Sequence, residues 1–494
     1  MQTQDRDRVT PNQLSYTRED WQRGYRSQPQ ESSYWIEDIE GNIPVELEGT
    51  LFRNGPGLLD INGYALHHPF DGDGMVCAIG FKNGRAYFQN RFVRTEGFVA
   101  ERQAKKPLYR GVFGTQKPGG WLANAFDLNF KNIANTNIIY WGDKLLALWE
   151  AAEPHRLDPV SLNTLGLEDL NGAIASGSPF SAHPRVDPNC NGEPRLVNFG
   201  LKAGMSSTIT IYEFDLQGKL VEKHSRAIAG FAFIHDMAIT PNYCIFSQNA
   251  VKFNPFPFLL GWRGAAECIQ FDPKQPTKLI LIPRHGKGEV KILETDPCFI
   301  FHHANAWEAG DEIILDSIAY EYFPTVEPNS DFREVDFGSL PPSQLWRSRL
   351  NLSNGTVDRQ ILESRGCEFP VLNGDRVGRN YRYVYLGAAH QPTGNAPLQA
   401  LLKLDLETGE EDFYSFAPRG FSGEPIFVPR PGGVDEDDGW VLVLAYNAAQ
   451  HRSDLAIFDA KKVSQGPMTT LHLSYHIPYG LHGSFTPHYF DPKM

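Results

Sequence analysis

Trp440-Val-Leu-Val-Leu-Ala-Tyr446 is the clearest of a series of short β-rich runs that recur along the whole chain. Residues of this kind favour strands, and Gly, Pro, Asn or Asp separates each run from the next. Tight-turn dipeptides join several of the runs, which is a strong local signal for antiparallel hairpins. Further runs lie at 85–89, 208–212, 279–282, 312–316 and 381–386, and the turn dipeptides are Asn83-Gly84, Gln217-Gly218, Asn354-Gly355 and Thr408-Gly409.

The spacing of these strands predicts a large closed β architecture. Many short antiparallel strands are typical of a β-propeller or a barrel, although no clean internal repeat is visible. Seven blades in 494 residues would take roughly 60–70 residues each, so long loops must connect them, and these loops would cap one face. We expect one propeller domain over residues 1–494 with a flexible tail at 1–14. Two stacked β-sandwiches are the alternative. Short helices are predicted only at 343–350 and within the first 125 residues.

Composition excludes several classes of function. The net charge is −13 and no basic block is present, which argues against a nucleic-acid partner. No run approaches the ~20 apolar residues of a membrane-spanning helix, and the polar start of the chain lacks a secretory core, so we expect a cytoplasmic protein. The six cysteines are widely spaced and are predicted to be reduced and mostly buried. They are Cys77, Cys190, Cys244, Cys268, Cys298 and Cys367.

Four histidines stand far apart, each in a distinctive local setting. They are His183, His235, His302 and His482. Neutral imidazole offers a nitrogen lone pair at physiological pH, and a closed fold could bring such distant residues to one axis. The site would then hold a metal through nitrogen alone, which suits iron, copper, nickel or zinc. Adjacent strand residues face opposite ways, so only one of His302 and His303 can point to a common centre. We expect ordinary surface or core roles for His67, His155, His285, His451 and His488.

Five distinctive motifs follow one another along the chain. They are Phe52-Arg-Asn-Gly-Pro-Gly57, His68-Pro-Phe-Asp-Gly-Asp-Gly-Met75, Phe231-Ala-Phe-Ile-His-Asp236, Phe301-His-His-Ala-Asn-Ala306 and Gly423-Glu-Pro-Ile-Phe-Val-Pro-Arg430. In sequence and in order they resemble the motifs of the carotenoid cleavage oxygenases. The resemblance runs from about residue 15 to the C-terminus, and Tyr140-Trp-Gly-Asp-Lys-Leu-Leu-Ala-Leu-Trp-Glu150 is most similar to members that act on apocarotenoids.

The resemblance implies a seven-bladed propeller with one ferrous ion per chain on its axis. The ligands fall at His183, His235, His302 and His482, because the family ligand directly follows Phe in the motif that begins at Phe301. A ligating histidine usually donates its other N–H to an acceptor. By the family pattern Glu150 orients His235, Glu368 orients His302 and Glu424 orients His482. Thr136 resembles the family residue that restricts one open iron position.

The aromatic content of 12% suits a protein with an apolar tunnel for a long polyene. Ordinary core packing is the alternative for each ring. The run 253–262 is densely apolar and contains two prolines, so it is either a buried loop or a patch that dips into a membrane surface. The predicted tunnel residues are Phe70, Phe113, Trp149, Phe233, Phe301 and Phe369, and the predicted patch consists of Phe253, Phe256, Phe258, Leu259, Leu260 and Trp262.

These observations predict an iron(II)-dependent dioxygenase that uses dioxygen to split a conjugated C=C bond of an apocarotenoid. The resemblance implies cleavage of the central 15,15′ bond, which gives retinal and a second aldehyde. Cleavage of another carotenoid bond or of a stilbene-like phenylpropanoid is the enzymatic alternative, and the family also includes a retinoid isomerohydrolase. A propeller that binds carotenoids without catalysis is the alternative from another class.

Overall fold

Seven antiparallel sheets form the blades of a β-propeller in the computed structural model, which describes residues 15–323, 331–392, 395 and 397–491. The first strand of each blade lies at the centre, where it contacts the first strand of a neighbouring blade. This arrangement confirms the predicted propeller and excludes the stacked sandwiches.

Blades 1 and 7 are each built from both ends of the chain. Blade 1 takes its innermost strand from Gly483–Thr486, followed by Gly49–Arg53, Asp73–Lys82, Arg85–Phe92 and Ser33–Trp35, with Pro56–Leu58 beside Asp73–Lys82. Blade 7 comprises Gly420–Pro429, Gly439–Asn447, Arg452–Asp459, Thr469–His472 and, at its outer edge, Ile39–Gly41.

The other five blades are four-stranded meanders of consecutive segments. Blade 2 comprises Asn137–Trp141, Lys144–Leu148, His155–Leu157 and Thr164–Leu167; blade 3, Arg185–Cys190, Glu193–Lys202, Ser206–Phe214 and Leu220–Ala229; blade 4, Met237–Ile239, Tyr243–Gln248, Thr277–Pro283 and Lys291–Thr295; blade 5, Phe299–Ala309, Glu312–Tyr320, Gln344–Asn351 and Val357–Glu363; blade 6, Cys367–Val371, Tyr383–Ala389, Leu398–Asp405 and Glu411–Ser415.

Apolar side chains between neighbouring blades form the core. Phe88 of blade 1 and Trp440 and Leu455 of blade 7, for example, belong to one fully buried cluster. All six cysteines are buried, as predicted, and none is paired with another. The four predicted turn dipeptides do connect antiparallel strands. At the first of them, Asn83 and Gly84 both have positive φ, as a two-residue hairpin turn requires.

In the part of the chain that the structure describes, short helices and two small ribbons lie before the first strand or in the loops between strands. Among the described residues, no helix is long and apolar enough to cross a membrane. The α-helices are Arg18–Arg23, Glu96–Ala104, Gly120–Asn124 and Pro255–Leu259; the 3-10 turns are Pro69–Asp71, Ala266–Cys268, Phe332–Glu334, Phe337–Ser339, Gly374–Arg376 and Val463–Gln465; the ribbons pair Asp60–Ile61 with Tyr64–Ala65 and Val251–Phe253 with Ile269–Phe271.

The predicted helix at 343–350 is wrong, because this segment is the strand Gln344–Asn351 of blade 5. It pairs on one side with Glu312–Tyr320 and on the other with Val357–Glu363. Its Gln, Leu and Arg residues have good helix propensity, but pairing on both edges outweighs that weak preference. The predicted tail at 1–14 lies outside the described residues.

Candidate metal centre

The innermost strands bring the four predicted histidines together on the propeller axis. His183, His235 and His482 lie one or two residues before the first strands of blades 3, 4 and 1, and His302 lies near the start of that of blade 5. One ring nitrogen from each lies within 4.8 Å of those of the other three. The Nε2 atoms of His183 and His235 are 2.9 Å apart. This spacing is short enough for one ion to reach all four nitrogens.

Three of the imidazoles contact the three glutamates expected behind them. His302 Nδ1 lies 2.6 Å from Glu368 Oε2, and His482 Nδ1 lies 2.8 Å from Glu424 Oε1. His235 Nδ1 also contacts a carboxylate oxygen of Glu150. A carboxylate that accepts the Nδ1 proton leaves the Nε2 lone pair free to bind a metal.

His302 shows that this donor set fits a metal. Its Nε2 is buried and has no hydrogen-bond partner. A buried polar atom normally has such a partner, so an unpaired nitrogen that faces three other imidazoles requires an explanation. A divalent cation on the axis would satisfy the nitrogen without any anionic ligand in the ring.

The glutamates differ in how they are held. Glu368 accepts a hydrogen bond of 2.7 Å from the hydroxyl of Tyr320 and one of 3.0 Å from the backbone N–H of Phe369. Glu424 accepts one of 2.5 Å from Arg53 Nη1 and one of 2.9 Å from the backbone N–H of Gly483. Two of the three carboxylates are thus fixed by further protein groups.

Burial and neighbouring charges favour neutral His183 and His482 and ionised Glu368 and Glu424. Burial also acts against protonation of His302, but Glu368 outweighs it and raises the pKa of this imidazole. Burial and the other three histidines lower the pKa of His183 well below its usual value. Burial also lowers the pKa of His482, although Glu424 opposes the shift. Burial acts against ionisation of Glu368 and Glu424, but their histidine partners outweigh it and lower both pKa values. A cation at this centre would find lone pairs inside and negative charge behind them.

His303 and Thr136 are also placed by the structure. His303 points away from the cluster, since its Nδ1 lies 2.7 Å from the hydroxyl of Ser317. Thr136 is buried directly before the first strand of blade 2, where its hydroxyl donates to Asn135 Oδ1 at 3.0 Å. Its carbonyl accepts a hydrogen bond of 3.1 Å from the backbone N–H of His482, so it lies beside one of the four histidines.

A cavity of about 340 Å³ is lined by neighbours of the histidine cluster, among them Glu368 and Leu481, although the four histidines themselves are not part of its wall. Three of the predicted tunnel aromatics, Phe70, Phe301 and Phe369, line this cavity. The other three do not: Phe113 stacks on His68, Trp149 lines a separate small cavity, and Phe233 packs against Phe299 and Phe323. Sequence reasoning missed other wall residues from distant segments, among them Trp21, Tyr25, Tyr320, Phe421 and Tyr479.

The predicted patch at 253–262 is only partly exposed. Phe256 and Trp262 are 71% and 60% exposed, Phe258 is buried, and Phe253, Leu259 and Leu260 are half-buried. A second segment continues the surface, because the backbone N–H of Phe126 donates to the carbonyl of Leu259. This second segment exposes Trp121, Leu122, Phe126 and Leu128.

Known proteins share both the sequence and this fold. The family model of the retinal pigment epithelial membrane protein matches residues 25–487. An apocarotenoid-15,15′-oxygenase from Synechocystis sp. is 57% identical over 96% of this chain and 98% of its own length. An isoeugenol monooxygenase from Pseudomonas nitroreducens is 30% identical over 91% and 94%. The crystal structure of the cobalt-substituted Synechocystis apocarotenoid oxygenase matches with a TM-score of 0.95, 57% identity and coverage of 96% and 100%. The chain therefore belongs to the carotenoid cleavage oxygenases, the family that includes the retinal pigment epithelial membrane protein.

Proposed function

We propose that the protein is an iron(II)-dependent dioxygenase that cleaves the central 15,15′ double bond of an apocarotenoid. The products are retinal and a second aldehyde, since each carbon of the broken C=C bond becomes a carbonyl. The observation that carries this proposal is the cluster of four imidazoles with glutamates behind three of them. The 57% identity to an apocarotenoid-15,15′-oxygenase supports the choice of substrate and bond.

His183, His235, His302 and His482 would hold the ion, and Glu150, Glu368 and Glu424 would fix the orientation of three of them. Bound ferrous iron would supply the activation of dioxygen. Four neutral ligands leave the ion its full charge, which the three carboxylates behind the rings offset. Thr136, beside His482, would limit access to one side of the centre.

The cavity would align the polyene by shape. Its aromatic walls suit a flat apolar chain, and the position of the bound chain decides which double bond lies beside the metal. Phe301 and Phe369 reach from this wall to the cluster, with ring centroids 5.6 Å from that of His235 and 5.7 Å from that of His302. No side chain is required as a general acid or base.

A phenylpropanoid substrate is the second candidate. The isoeugenol monooxygenase at 30% identity and a resveratrol cleavage oxygenase from Botryotinia fuckeliana, also at 30%, favour it. Both are much less similar to this chain than the apocarotenoid oxygenase is.

Product analysis tests the proposal. The iron-loaded protein is incubated with apocarotenals, a carotenoid, a hydroxylated stilbene and a retinyl ester, with and without oxygen. We expect retinal from apocarotenals only when oxygen is present, with loss of activity in His302→Ala and full activity in the exposed control His285→Ala. A product formed from the retinyl ester without oxygen, or pigment returned unchanged, contradicts the proposal.

We also propose that the two exposed segments form one surface for peripheral membrane contact. A lipid-dissolved substrate could then enter without crossing water. Phe256→Ser with Trp262→Ser should weaken sedimentation with phosphatidylcholine vesicles at least about threefold, since each removes apolar area from the lipid contact. Cleavage of substrate in detergent should be unchanged. Met205→Ser with Val434→Ser, at isolated exposed positions, is the control. Equal vesicle binding by both double variants contradicts the surface.

A further inference from the structure

Arg185 connects three blades at the level of the histidine cluster. It lies two residues after His183, at the start of the first strand of blade 3. Its Nε donates to the carbonyl of Met237 in blade 4 at 2.9 Å, and its Nη2 donates to the carbonyl of His303 in blade 5 at 2.7 Å. One guanidinium therefore bonds to the backbone of two blades other than its own.

Asp236, directly before the first strand of blade 4, bonds to Arg185 and to the backbone of blades 4 and 5. Its side chain is fully buried and accepts from Arg185 Nη2 at 2.5 Å. The same oxygen, Oδ2, accepts from the backbone N–H of His303 at 2.8 Å, while Oδ1 accepts from the backbone N–H of Met237. Arg185 thus lies two residues after His183, Asp236 directly follows His235, and both bond to the backbone of His303, which directly follows His302.

His183 is the one member of the cluster without a glutamate partner among the described residues. The carboxylate oxygen nearest its Nδ1 is Asp236 Oδ1, at 3.9 Å, which is too long for a direct hydrogen bond. Its backbone N–H donates to the hydroxyl of Ser181. The position of His183 must therefore depend on the backbone around it rather than on a carboxylate behind its ring.

We infer that Arg185 and Asp236 are positioning residues that set the spacing of His183, His235 and His302 and so determine metal affinity. This inference rests on the proposed function, in which these histidines are ligands. Three glutamates orient individual rings, whereas this pair fixes the relative positions of three strands. A shift of one strand against another would separate nitrogens that now lie within reach of one ion.

A second ion pair of the same composition provides a matched control. Arg347 and Asp316 join the second and third strands of blade 5 through bonds of 2.8 Å and 2.8 Å. The side-chain exposures are 12% and 0%, against 19% and 0% for Arg185 and Asp236. Loss of either pair should lower the unfolding temperature, but only one pair contacts the backbone beside the histidines.

The experiment compares Arg185→Met and Asp236→Asn with Arg347→Met and Asp316→Asn. Metal-free protein is titrated with Co²⁺, whose visible absorption reports both affinity and coordination, and the unfolding temperature of the metal-free protein is measured in parallel. We expect Co²⁺ affinity to fall by about 10–100-fold in the first two variants, with an altered spectrum. The control variants should keep the wild-type spectrum and affinity within about twofold.

The milder variant Arg185→Lys keeps the charge and serves if Arg185→Met does not fold. An ammonium cannot make all the bonds of the guanidinium, so an intermediate affinity is expected. The inference is overturned if Arg185→Lys and Asp236→Asn bind Co²⁺ with wild-type affinity. It is also overturned if the Arg347 and Asp316 variants lose as much Co²⁺ affinity as the Arg185 and Asp236 variants do. If wild-type protein itself binds no Co²⁺ at this centre, the proposed function fails first, and the two failures are distinguished.

Discussion

Glu368 and Glu424 each contact the Nδ1 atom of a histidine in the cluster. Of the two, only Glu424 also forms an ion pair with a buried cation. The side chain of Arg53 is 6% exposed and contacts Glu424 at 2.5 Å, whereas Glu368 contacts the neutral hydroxyl of Tyr320. Glu368→Gln and Glu424→Gln should each weaken metal binding by about 10–100-fold, because the histidine loses its carboxylate acceptor. Only Glu424→Gln should also lower the free energy of unfolding of the metal-free protein, by about 2–4 kcal/mol.

Metal titration and urea unfolding of both metal-free variants separate the two effects. Equal loss of stability in the two variants would show that Arg53 gains nothing from its charged partner.

His155 gives the fold a defined sensitivity to acid. It is 4% exposed, and burial lowers its pKa from 6.5 to about 4, although Glu153 opposes the shift. Between pH 6.5 and 4 the unfolded chain binds a proton that the folded chain excludes, so stability falls as pH drops through this window and is retained above it. From pH 7 to 4.5 this residue should cost roughly 2–3 kcal/mol.

Urea unfolding at pH 7 and 4.5 measures this predicted loss of unfolding free energy. His155→Gln should lose correspondingly less stability than wild type between the two pH values, whereas His285→Gln, at an exposed position, should follow the wild type. An unchanged pH dependence in His155→Gln would mean that other groups dominate.

At the scale of elements, buried ion pairs hold blades 3 and 4 together. The side chain of Arg284 is 0% exposed and contacts Asp187 at 2.6 Å and Glu213 at 2.8 Å, both in blade 3. Arg284→Met removes the fully buried cation from both carboxylates and leaves them only the partly exposed Arg379 and Arg195, so it should cost about 3–5 kcal/mol of unfolding free energy. The exposed pair of Arg18 and Glu334 serves as the control, since Arg18→Met should cost less than about 1 kcal/mol. Chemical denaturation measures both variants, and comparable losses of unfolding free energy in Arg284→Met and Arg18→Met would contradict this distinction.

The sequence predicted those features that depend on neighbouring residues. A dipeptide such as Asn83-Gly84 carries its own turn geometry, so hairpins were recognisable, and each histidine motif is a contiguous string. Features that depend on distant pairing were not predictable. The strand at 344–351 exists because two other strands flank it, and Tyr320 becomes a partner of Glu368 only when two blades meet. Arg53 is part of the motif Phe52-Arg-Asn-Gly-Pro-Gly57, but no feature of the neighbouring sequence indicates that it pairs with Glu424.

The exposed surface and the cavity show the same limit. The run 253–262 is apolar enough to be recognised from sequence. The segment that contains Trp121 and Phe126 lies beside this run only in the folded chain, so sequence does not reveal that the two are neighbours. Phe233, one of the predicted tunnel aromatics, packs against Phe299 and Phe323 with ring centroids 6.0 Å and 6.3 Å apart. A phenyl ring suits a core and a tunnel wall equally well, so the residue type does not separate the two roles. Only the three-dimensional arrangement separates these roles.

At the scale of the whole molecule, the strand that closes the ring also completes the metal centre. The last strand, Gly483–Thr486, directly follows His482 and pairs with Gly49–Arg53, so blade 1 is complete only when the two ends of the chain meet. The same pairing carries His482 to the axis, where its backbone N–H bonds to Thr136 of blade 2. An open ring would leave three histidines on blades 3 to 5 with no fourth opposite them.

Two truncations test this dependence. A chain that ends at His482 lacks the closing strand, and we expect it to lose at least about 100-fold in Co²⁺ affinity, because one of four ligands is no longer fixed. A chain that ends at Pro487 keeps the strand and should bind Co²⁺ within about threefold of wild type, although its unfolding temperature should fall because Phe490 no longer packs against Phe52 and Tyr140. Tight Co²⁺ binding by the shorter chain would show that the centre assembles on blades 3 to 5 before the ring closes.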